Sequence, residues 1–300
     1  MGQTYLAIVN PAAGGGRSRK LLLPALERLR AGGVEVKVAE TSTSGEATRI
    51  AREAYDRGQR NFIAVGGDGT AYEIVNGLYP QALSGGRPTL AFLPLGTGNS
   101  FLRDFSNRGL DHALDSLLAG RSRTCDVLRL RHRAGVIHYI NLLSLGFTAD
   151  VATLRARRFS GWGELGYMAS IFLTLARFKR RPFPVRAEGE TEFDARRCLF
   201  LTFNNSKFTG GTMMIAPKAE IDDGLMEYVR WGPIGRLGLI RNLPTLYDGT
   251  HIEHPLAERK AVRHLEFNLD APVDVMVDGE VLTLHCEELD VLPGALQVVV

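Results

Sequence analysis

The stretch from Phe62 to Thr70, FIAVGGDGT, decides the fold of this chain. Its first four residues are apolar and predict a buried strand, and the three glycines after them allow a tight turn that a ligand can approach closely. The segment after the turn has helical periodicity, and the N–H groups and positive dipole end of a helix favour an anion. The stretch therefore predicts a parallel strand, a phosphate-binding turn and a helix.

Short apolar runs alternate with longer amphipathic segments through the first 120 residues. Such alternation predicts a parallel sheet covered by helices on both faces, and ligands of these sheets bind at the carboxyl ends of the strands. We expect Ser18 and Ser44 to cap two of the helices. The predicted strands are Tyr5–Val9, Val34–Ala39, Phe62–Val65 and Thr89–Leu93, and the predicted helices are Ser18–Arg30, Ser44–Arg57 and Thr70–Leu78.

After Arg121 the pattern changes to strands with few helices between them. Cys125–Arg131 and Ile137–Leu143 predict a hairpin around Arg133–Gly135, and the whole second half is typical of a mostly antiparallel β-sandwich. The other predicted elements are the strands Arg197–Phe203, Gly224–Val229, His264–Asn268, Val273–Val277 and Val281–Cys286 and the helices Leu165–Phe178 and about Pro233–Tyr247.

These patterns predict two domains. We expect an α/β nucleotide domain over residues 1–122 and a β-sandwich substrate domain over residues 123–290, with the active-site cleft between them. The last residues, Ala295–Val300, are β-rich and could return to either domain, and for the segment 290–300 we keep open a return to the α/β domain.

Composition limits the classes of function. The formal net charge is +3, which is too small an excess to indicate a nucleic-acid binder. Three well-separated cysteines and a start without a basic, apolar leader favour a reduced, cytoplasmic protein. The longest mostly apolar run, Leu165–Ala176, is shorter than the ~20 residues of a spanning helix, so we expect no integral membrane protein.

The acid in the first glycine turn is its most informative residue. A carboxylate in a phosphate-binding loop repels the ligand unless a divalent cation, or a proton to be removed, lies between them. Asp68 therefore indicates metal or proton chemistry. Taken alone, the string GGDGT is also compatible with an ordinary strand-to-helix turn.

Two further glycine loops follow predicted parallel strands. Residues 93–100, LPLGTGNS, come one strand after the first turn, and residues 10–17, NPAAGGGR, follow the first strand. A single glycine-rich loop is weak support for a phosphate site. Three of them at the carboxyl ends of neighbouring strands predict one convergent site.

Together these motifs resemble the bacterial diacylglycerol-kinase-like lipid kinases, whose catalytic domain is shared with sphingosine and ceramide kinases. The resemblance extends into the second half, where four segments are similar to family segments: NLLSLGFTAD (141–150), GGTMMIAP (210–217), DDGL (222–225) and DGE (278–280). It therefore covers nearly the whole chain. It implies a fold of the NAD-kinase or phosphofructokinase type, ATP as phosphoryl donor and Mg²⁺ as metal.

The resemblance also implies site residues. Asp68 would act near the catalytic Mg²⁺ and Glu280 would be the general base. A structural Mg²⁺ would use the Asp223 side chain with backbone oxygens of Glu220 and Leu225. The implied nucleotide-binding residues are Asn10, Thr41, Gly66, Gly67, Asp68, Gly69, Thr70, Ala71, Tyr72, Gly96, Thr97 and Asn99.

Three of these assignments leave alternatives open. Many family members have Asn-Asp where this chain has Asn99-Ser100, which affects the expected metal arrangement. The DGE string alone favours a hairpin turn, although an acid beside such a turn can orient an acceptor hydroxyl. Asp222-Asp223-Gly224 is likewise most often a turn. The seven histidines show no metal-site spacing.

The segment 154–181 is the candidate for lipid contact. Five apolar residues at helical spacing lie between basic flanks, which is typical of docking on an anionic bilayer, although a core helix with solvated ends fits as well. The apolar positions are Leu165, Met168, Ile171, Phe172 and Leu175, and the basic ones are Arg155, Arg157, Arg158, Arg177, Lys179, Arg180 and Arg181.

The sequence thus predicts a cytoplasmic lipid kinase that associates peripherally with the membrane. Its expected partners are a membrane lipid as substrate and an anionic bilayer surface, with a homodimer also open and no nucleic acid. Diacylglycerol, a monoacylglycerol, a sphingoid base and a phosphatidylglycerol-type lipid all fit as acceptor. The rival functions are an NAD kinase, a phosphofructokinase and a catalytically silent binding protein on the same scaffold.

Overall fold

Alternating strands and helices build the first half of the chain, and strands dominate the second. The computed structural model describes residues 4–96, 98–159, 166, 169–170, 173–175 and 180–300. The helices are α1 (Arg17–Ala31), α2 (Glu46–Asp56), α3 (Asp68–Leu78), α4 (Ala82–Gly85), α5 (Leu110–Ala119), α6 (Phe147–Arg158), α7 (Arg236–Asn242) and α8 (Thr245–Asp248), with 3-10 turns at Ala13–Gly16, Phe101–Asp104 and Thr250–Glu253.

Nineteen strands accompany these helices in the described part of the chain. They are β1 (Thr4–Val9), β2 (Glu35–Glu40), β3 (Asn61–Gly66), β4 (Thr89–Pro94), β5 (Ser122–His132), β6 (Gly135–Tyr139), β7 (Leu142–Gly146), β8 (Arg181–Pro182), β9 (Val185–Ala187), β10 (Arg197–Cys198), β11 (Phe200–Asn204), β12 (Phe208–Thr209), β13 (Met213–Met214), β14 (Met226–Trp231), β15 (Ala257–Val262), β16 (His264–Phe267), β17 (Val273–Val277), β18 (Glu280–Leu284) and β19 (Cys286–Val299).

The first four strands are parallel and lie in the order β2-β1-β3-β4. Apolar residues on one face of this sheet pack against α2 and α3, and those on the other face pack against α1 and α5. A parallel sheet buried on both faces needs nearly continuous apolar strands, which is what the sequence of β3 and β4 provides. The predicted α/β half is confirmed.

The second half is the predicted antiparallel β-sandwich. One sheet has six strands in the order β15-β14-β11-β7-β17-β18, and the facing strands are β5, β6, β9, β16 and β19. Between the two layers lies a core of large apolar side chains that includes Tyr139, Phe203, Phe267 and Val277. The antiparallel neighbours alternate inward and outward side chains, so each layer offers one apolar face to the other.

The last strand connects the two halves. β19 pairs antiparallel with β5 and β16, and its residues 297–299 pair in parallel with residues 89–91 of β4. The first sheet therefore has nine strands and continues past residue 122. The division into domains at residues 1–122 and 123–290 stays a prediction.

Both predicted helix caps are wrong. Helix α1 begins at Arg17, so Ser18 lies inside its first turn. The residue at the N-cap of α2 is Gly45 rather than Ser44, with a φ of 82° that suits glycine. The N–H group of Gly45 donates to the carboxylate of Glu73 on α3, so a neighbouring helix supplies the cap.

Two predicted elements are divided in the structure. The run Ile137–Leu143 splits into β6 and β7, which belong to different sheets, because the N–H groups of residues 140–142 bind the side chain of Asp278 instead of a strand. The run Pro233–Tyr247 splits into α7 and α8 at Pro244, whose nitrogen has no hydrogen to continue a helix.

The predicted lipid-contact helix Leu165–Phe178 lies mostly outside the described residues. Leu175, the one member of its apolar set within them, is buried in a cluster with Phe147 and Val151, whereas Leu173 is 41% exposed. No helix in the described parts of the chain is both long and apolar enough to cross a bilayer.

Candidate active site

Backbone hydrogen bonds join the carboxyl ends of the parallel strands. The N–H group of Thr41 after β2 donates to the carbonyl of Val9 at 2.9 Å, and that of Asn10 after β1 donates to Val65 at 3.0 Å. The predicted nucleotide residues at these two strand ends therefore lie beside one another at the edge where ligands of such sheets bind.

The two main glycine loops touch at this edge. The N–H group of Gly96 donates to the carbonyl of Gly66 at 2.9 Å. A Cβ atom on Gly96 would lie 2.6 Å from the nitrogen of Gly67, and one on Gly67 would lie 2.7 Å from the carbonyl oxygen of Gly98. Side chains cannot occupy such short distances, so both loops need glycine because they pack backbone against backbone.

Asp68 links the first glycine loop to the second. Its N–H group donates to the carbonyl of Gly98 at 3.0 Å, and its carboxylate accepts the N–H groups of Ser100 at 2.9 Å and Phe101 at 3.5 Å. Asp68 thus caps the 3-10 turn Phe101–Asp104, a structural role that the sequence did not predict. Burial raises the pKa of Asp68, against the hydrogen bonds from Ser100 and Phe101 that lower it.

The DGE string forms the two-residue hairpin turn between β17 and β18. Val277 pairs with Glu280, and positive φ angles of 47° at Asp278 and 90° at Gly279 are typical of a type I′ turn. The interpretation of this string as a turn is therefore confirmed. The turn also lies on the first glycine loop, since a Cβ atom on Gly279 would be 4.0 Å from the Cβ of Asp68.

Asp278 is buried beneath this turn and holds the chain between β6 and β7. Its carboxylate accepts the N–H groups of Ile140, Asn141 and Leu142 at 3.0, 3.0 and 2.9 Å. Burial raises the pKa of Asp278 to about 7, and the nearby charge of Asp68 acts in the same direction. The three N–H donors oppose this rise because they stabilise the charged form.

Glu280 extends from the turn to the glycine loop of the other half. Its Oε1 atom would lie 2.4 Å from a Cβ atom on Gly69, so the absence of a side chain at Gly69 makes room for this carboxylate. Partial burial raises the pKa of Glu280, as does the charge of Glu73. The pKa of Tyr72 is raised by burial first and then by the charges of Asp278, Glu280 and Glu73, which shows that these groups share one neighbourhood.

The acids of this cleft have no cationic partner in the described part of the chain. None of the ion pairs found there includes Asp68, Asp278 or Glu280. No group of three or more His, Cys, Asp or Glu side chains among the described residues is arranged to hold a metal. Mg²⁺ at nucleotide sites is usually held by one or two carboxylates and the phosphates, so an acidic cleft without cations fits this metal.

Other predicted nucleotide residues make local contacts. Asn10 Oδ1 accepts the N–H group of Ala12 at 3.0 Å, and Asn99 Nδ2 donates to the carbonyl of Gly96 at 3.0 Å. Both side chains thus stabilise their own loops. The hydroxyl of Thr41 lies 3.2 Å from the carbonyl of Val9.

The remaining predicted residues of the first loop begin α3. Thr70 is buried, with its Oγ1 atom 2.3 Å from where a Cβ atom on Gly66 would be. Ala71 is buried in the hydrophobic core, so a ligand can reach it through its backbone alone. Thr97 lies outside the described residues.

Ser100 joins the two halves of the chain. The residue is buried, its N–H group donates to Asp68, and its Oγ atom accepts the N–H group of Gly211 at 3.0 Å. Four residues later, the carboxylate of Asp104 accepts the N–H group of Lys207 with both oxygens at 3.1 Å. The second glycine loop is thereby attached to the segment 207–211 of the β-rich half.

The residues of the predicted structural Mg²⁺ site lie in the turn before β14. Asp223 Oδ1 accepts the N–H group of Leu225 at 2.9 Å, and Glu220 Oε1 lies 3.6 Å from Lys207 Nζ. Burial raises the pKa of Asp223, and the charge of Glu220 raises it further. Buried Asp126 fixes the same turn, because its carboxylate accepts the N–H group of Gly224 at 2.7 Å.

The sequence did not single out Asp278, Asp104 or Asp126 as site residues. Each carboxylate binds backbone N–H groups that are 98 or more residues away along the chain. Asp278 precedes a glycine, but an Asp-Gly pair is so common in hairpin turns that it does not distinguish Asp278 from an ordinary turn residue. Asp104 and Asp126 carried no local signal at all.

Comparison with known proteins agrees with this architecture. Residues 4–130 match the family model described as the diacylglycerol kinase catalytic domain, and residues 141–300 match the YegS C-terminal NAD kinase beta sandwich-like domain. The chain is therefore a kinase built from an α/β half and a β-sandwich half. It belongs to the family of diacylglycerol-kinase-like lipid kinases.

Similar proteins span nearly the whole chain. A diacylglycerol kinase of Mycobacterium tuberculosis is 28% identical over 297 residues, covering 97% of this chain and 93% of that protein. A protein of Chromohalobacter salexigens named as a probable YegS-like lipid kinase is 31% identical over 283 residues, covering 91% of this chain and 86% of that protein. The fold is similar to a crystal structure of a diacylglycerol kinase from Bacillus anthracis, with a TM-score of 0.72 and 20% identity. The match covers 99% of this chain and 96% of that one.

Proposed function

We propose that this kinase transfers the γ-phosphoryl group of ATP to the hydroxyl group of a membrane lipid, with diacylglycerol as the first candidate. One observation carries the proposal. The β-rich half brings the carboxylate of Glu280 against Gly69 in the glycine loop of the α/β half. A proton acceptor thus lies beside the loop where phosphates would bind, as phosphoryl transfer to an alcohol requires.

In the proposed mechanism the glycine loops bind the phosphates of ATP through their N–H groups. The implied nucleotide residues at the strand ends, Asn10, Thr41 and Asn99, fix these loops through their local hydrogen bonds. Asp68 would hold Mg²⁺, which supplies positive charge against the phosphate oxygens when it is bound. A second, structural Mg²⁺ would be held by the Asp223 side chain with backbone oxygens of Glu220 and Leu225.

Glu280 accepts the proton of the lipid hydroxyl. The hydroxyl oxygen forms a bond to the γ-phosphorus, the bond between that phosphorus and the β,γ-bridging oxygen breaks, and ADP leaves. The raised pKa of Glu280 suits this role, because a carboxylate that holds a proton more strongly is a better base. Positioning and charge supply most of the rate enhancement in such reactions.

We still expect the enzyme to act in the cytoplasm, in peripheral association with the membrane. A lipid substrate lies in a bilayer, so the enzyme has to meet it at the membrane interface. Family membership decides against the two rival kinases, since the relatives are lipid kinases rather than NAD kinases or phosphofructokinases. A homodimer stays a prediction.

A lipid-panel assay tests the function. The purified chain is incubated with γ-labelled ATP, Mg²⁺ and neutral detergent micelles that contain diacylglycerol, a monoacylglycerol, a sphingoid base or phosphatidylglycerol, and the label is followed into the organic phase. We expect transfer to diacylglycerol, and loss of that transfer in Glu280→Gln. Transfer to NAD or fructose 6-phosphate with none to any lipid would overturn the proposal.

A further inference from the structure

A large cavity lies at the end of the six-stranded sheet that is remote from the DGE turn. Tyr228 of β14 pairs with Phe203 of β11. Phe203 in turn pairs with Leu143 of β7, which pairs with Val277 just before the DGE turn. Trp231, three residues further along β14, therefore lies at the end of the sheet that is remote from this turn. The cavity begins just beyond Trp231 and has a volume of about 800 Å³. Its lining includes four arginines, one glutamate and one exposed leucine: Arg180, Arg196, Arg197, Arg230, Glu258 and Leu256.

Two of the four arginines in this lining are held by acids. Arg196 pairs with Asp194 at 2.7 Å and with Glu258 at 2.5 Å. Arg230 is buried, its Nε atom lies 3.7 Å from Asp194, and its Nη2 atom donates to the carbonyls of Arg196 and Arg197. These contacts fix the backbone of residues 196–197 at the cavity wall. They also compensate the positive charges of Arg196 and Arg230 with the negative charges of nearby acids.

The other two arginines supply the net positive charge of the cavity. Arg180 and Arg197 are exposed, and neither makes an ion pair with any residue that the structure describes. Arg180 reaches the start of α7, because a Cβ atom on Gly235 would lie 3.9 Å from its Nη2 atom. Two free guanidinium groups in one cavity are suited to a phosphate group, which each can bind with two parallel hydrogen bonds.

Helix α7, which begins beside Arg180, and the cavity lining itself both carry exposed apolar side chains. Helix α7 is anchored by Leu239, which is buried, while Leu237 and Ile240 face solvent with 83% and 52% of their surface exposed. These two are three residues apart and so lie on one face of the helix. Leu256, in the cavity lining itself, is 43% exposed.

We propose that the arginine cavity and the apolar face of α7 together bind the phosphate headgroup of an anionic phospholipid within a bilayer. Arg180 and Arg197 contact the headgroup phosphate, and Leu237 and Ile240 enter the boundary between headgroups and acyl chains. Free phosphate would need the arginines but no exposed leucine and isoleucine. A second copy of this chain seated symmetrically on the same surface would place like charges against each other.

This site is distinct from the catalytic cleft, because the DGE turn and the cavity lie at opposite ends of the sheet. The phospholipid it binds is therefore an anchor and not the acceptor of the phosphoryl group. The inference stands independently of the proposed function, since binding to vesicles needs neither ATP nor turnover. It also relocates the docking surface that the sequence placed at Leu165–Phe178, with Arg180 common to both.

The test is vesicle flotation without ATP. The full chain is mixed with vesicles of phosphatidylcholine containing 30% phosphatidylglycerol, or of phosphatidylcholine alone, over a series of salt concentrations. In the double variant Arg180→Gln/Arg197→Gln we expect binding to the anionic vesicles to weaken about thirtyfold, with a smaller salt dependence. Leu237→Ser/Ile240→Ser should weaken binding without changing the salt dependence.

A matched control removes the same charge elsewhere. Arg57 and Arg133 are exposed and lie on α2's carboxyl end and in the β5–β6 turn, away from the cavity. Arg57→Gln/Arg133→Gln should bind anionic vesicles as the parent chain does. Phosphorylation of a micelle-dispersed lipid should be unchanged in all three double variants, which separates failure of docking from failure of the kinase.

Three outcomes would overturn the inference. The first is unchanged binding of Arg180→Gln/Arg197→Gln to anionic vesicles while its thermal stability matches the parent. The second is equal loss in the control variant, which would mean that net charge alone matters. The third is a change of oligomeric state in Leu237→Ser/Ile240→Ser, measured by sedimentation, with vesicle binding retained, because this face would then contact a second copy.

Discussion

The two ends of the six-stranded sheet carry opposite charges. At one end, the turn that carries Asp278 and Glu280 lies against the glycine loop that carries Asp68, without a cation from the described residues. Burial raises the pKa of each of these acids. At the other end, four arginines share a cavity with one glutamate. The acidic end suits a reaction in which metal and proton supply the positive charge, and the basic end suits a ligand that brings its own negative charge.

This difference separates chemistry from docking. Changes at the acidic end should affect turnover and leave vesicle binding alone, and changes at the basic end should do the reverse. A variant that moves both properties would show that the two ends are coupled through the sheet.

The largest effect is expected for Asp68→Asn. Asparagine keeps an oxygen to accept the N–H group of Ser100, but it loses the charge that would hold Mg²⁺ between the loop and the phosphates. We expect no measurable phosphoryl transfer at saturating Mg²⁺ and a stability loss of about 1 kcal/mol from the weaker cap. Wild-type turnover in this variant would assign Asp68 to the cap alone.

The next effect is that of Glu280→Gln. Loss of a general base typically lowers the rate by ~10²–10⁴-fold, so turnover should fall by that factor while the affinity for ATP stays nearly constant. Turnover and nucleotide affinity are measured separately, with vesicle flotation as a control that should not change. Failure of ATP binding with surviving turnover at saturation would make Glu280 a binding residue instead.

A third effect concerns pH and stability. Burial raises the pKa of Asp278 to about 7 from an ordinary value of 3.8, so between these pH values the folded chain retains a proton that the unfolded chain has released. The free energy of unfolding should therefore fall as pH rises from 4 to 7, by an amount on the order of a few kcal/mol. Urea denaturation in the presence of a chelator, at pH 5 and pH 8, measures the change.

Two variants test which carboxyl groups cause this dependence of the free energy of unfolding on pH. Asp278→Asn should remove much of it. Asp104, whose pKa burial raises to about 6, contributes with the same sign but at lower pH, so Asp104→Asn should leave the part of the slope between pH 6 and 7. An unchanged slope in Asp278→Asn would show that this carboxyl is already charged in the folded chain at pH 5.

The sequence predicted those features that depend on local pattern. Apolar runs located the parallel strands, and glycine loops such as GGDGT located the edge where the site lies. The β-rich second half followed from strand periodicity. The family resemblance implied Glu280 as the general base, and that role stays a prediction. Apart from the family resemblance, each of these signals is contained in fewer than about twenty consecutive residues, which is the range over which periodicity and turn chemistry act.

The features it missed depend on contacts between distant segments. Asp278 divides the strand predicted at Ile137–Leu143 from 136 or more residues away, and Glu73 caps α2 from 28 residues away. The arginine cavity combines residues 180, 196, 197 and 230 from three separate segments. No local pattern announces such pairings, because they are fixed by how the sheets pack.

The smallest effect is expected for Ser100→Ala. This variant tests the contact between the second glycine loop and the β-rich half of the chain. The hydroxyl of Ser100 accepts the N–H group of Gly211 in a buried position, so its removal leaves that donor unpaired at a cost of about 1–3 kcal/mol. Because the N–H group of Ser100 also holds Asp68, the loss should shift the loop and lower turnover by roughly tenfold, with KM for ATP little changed.

A buried serine outside the cleft provides the control for this variant. Ser116 is fully buried and its Oγ atom accepts a hydrogen bond from Arg121 at 3.0 Å, so Ser116→Ala also removes a buried hydroxyl and should leave turnover unchanged. Its cost in stability should be smaller, because the exposed Arg121 can bind water instead. If neither variant loses turnover, Ser100 is a structural residue. If Ser100→Ala alone loses turnover, its hydroxyl positions Asp68 by tying the second glycine loop to the segment 207–211.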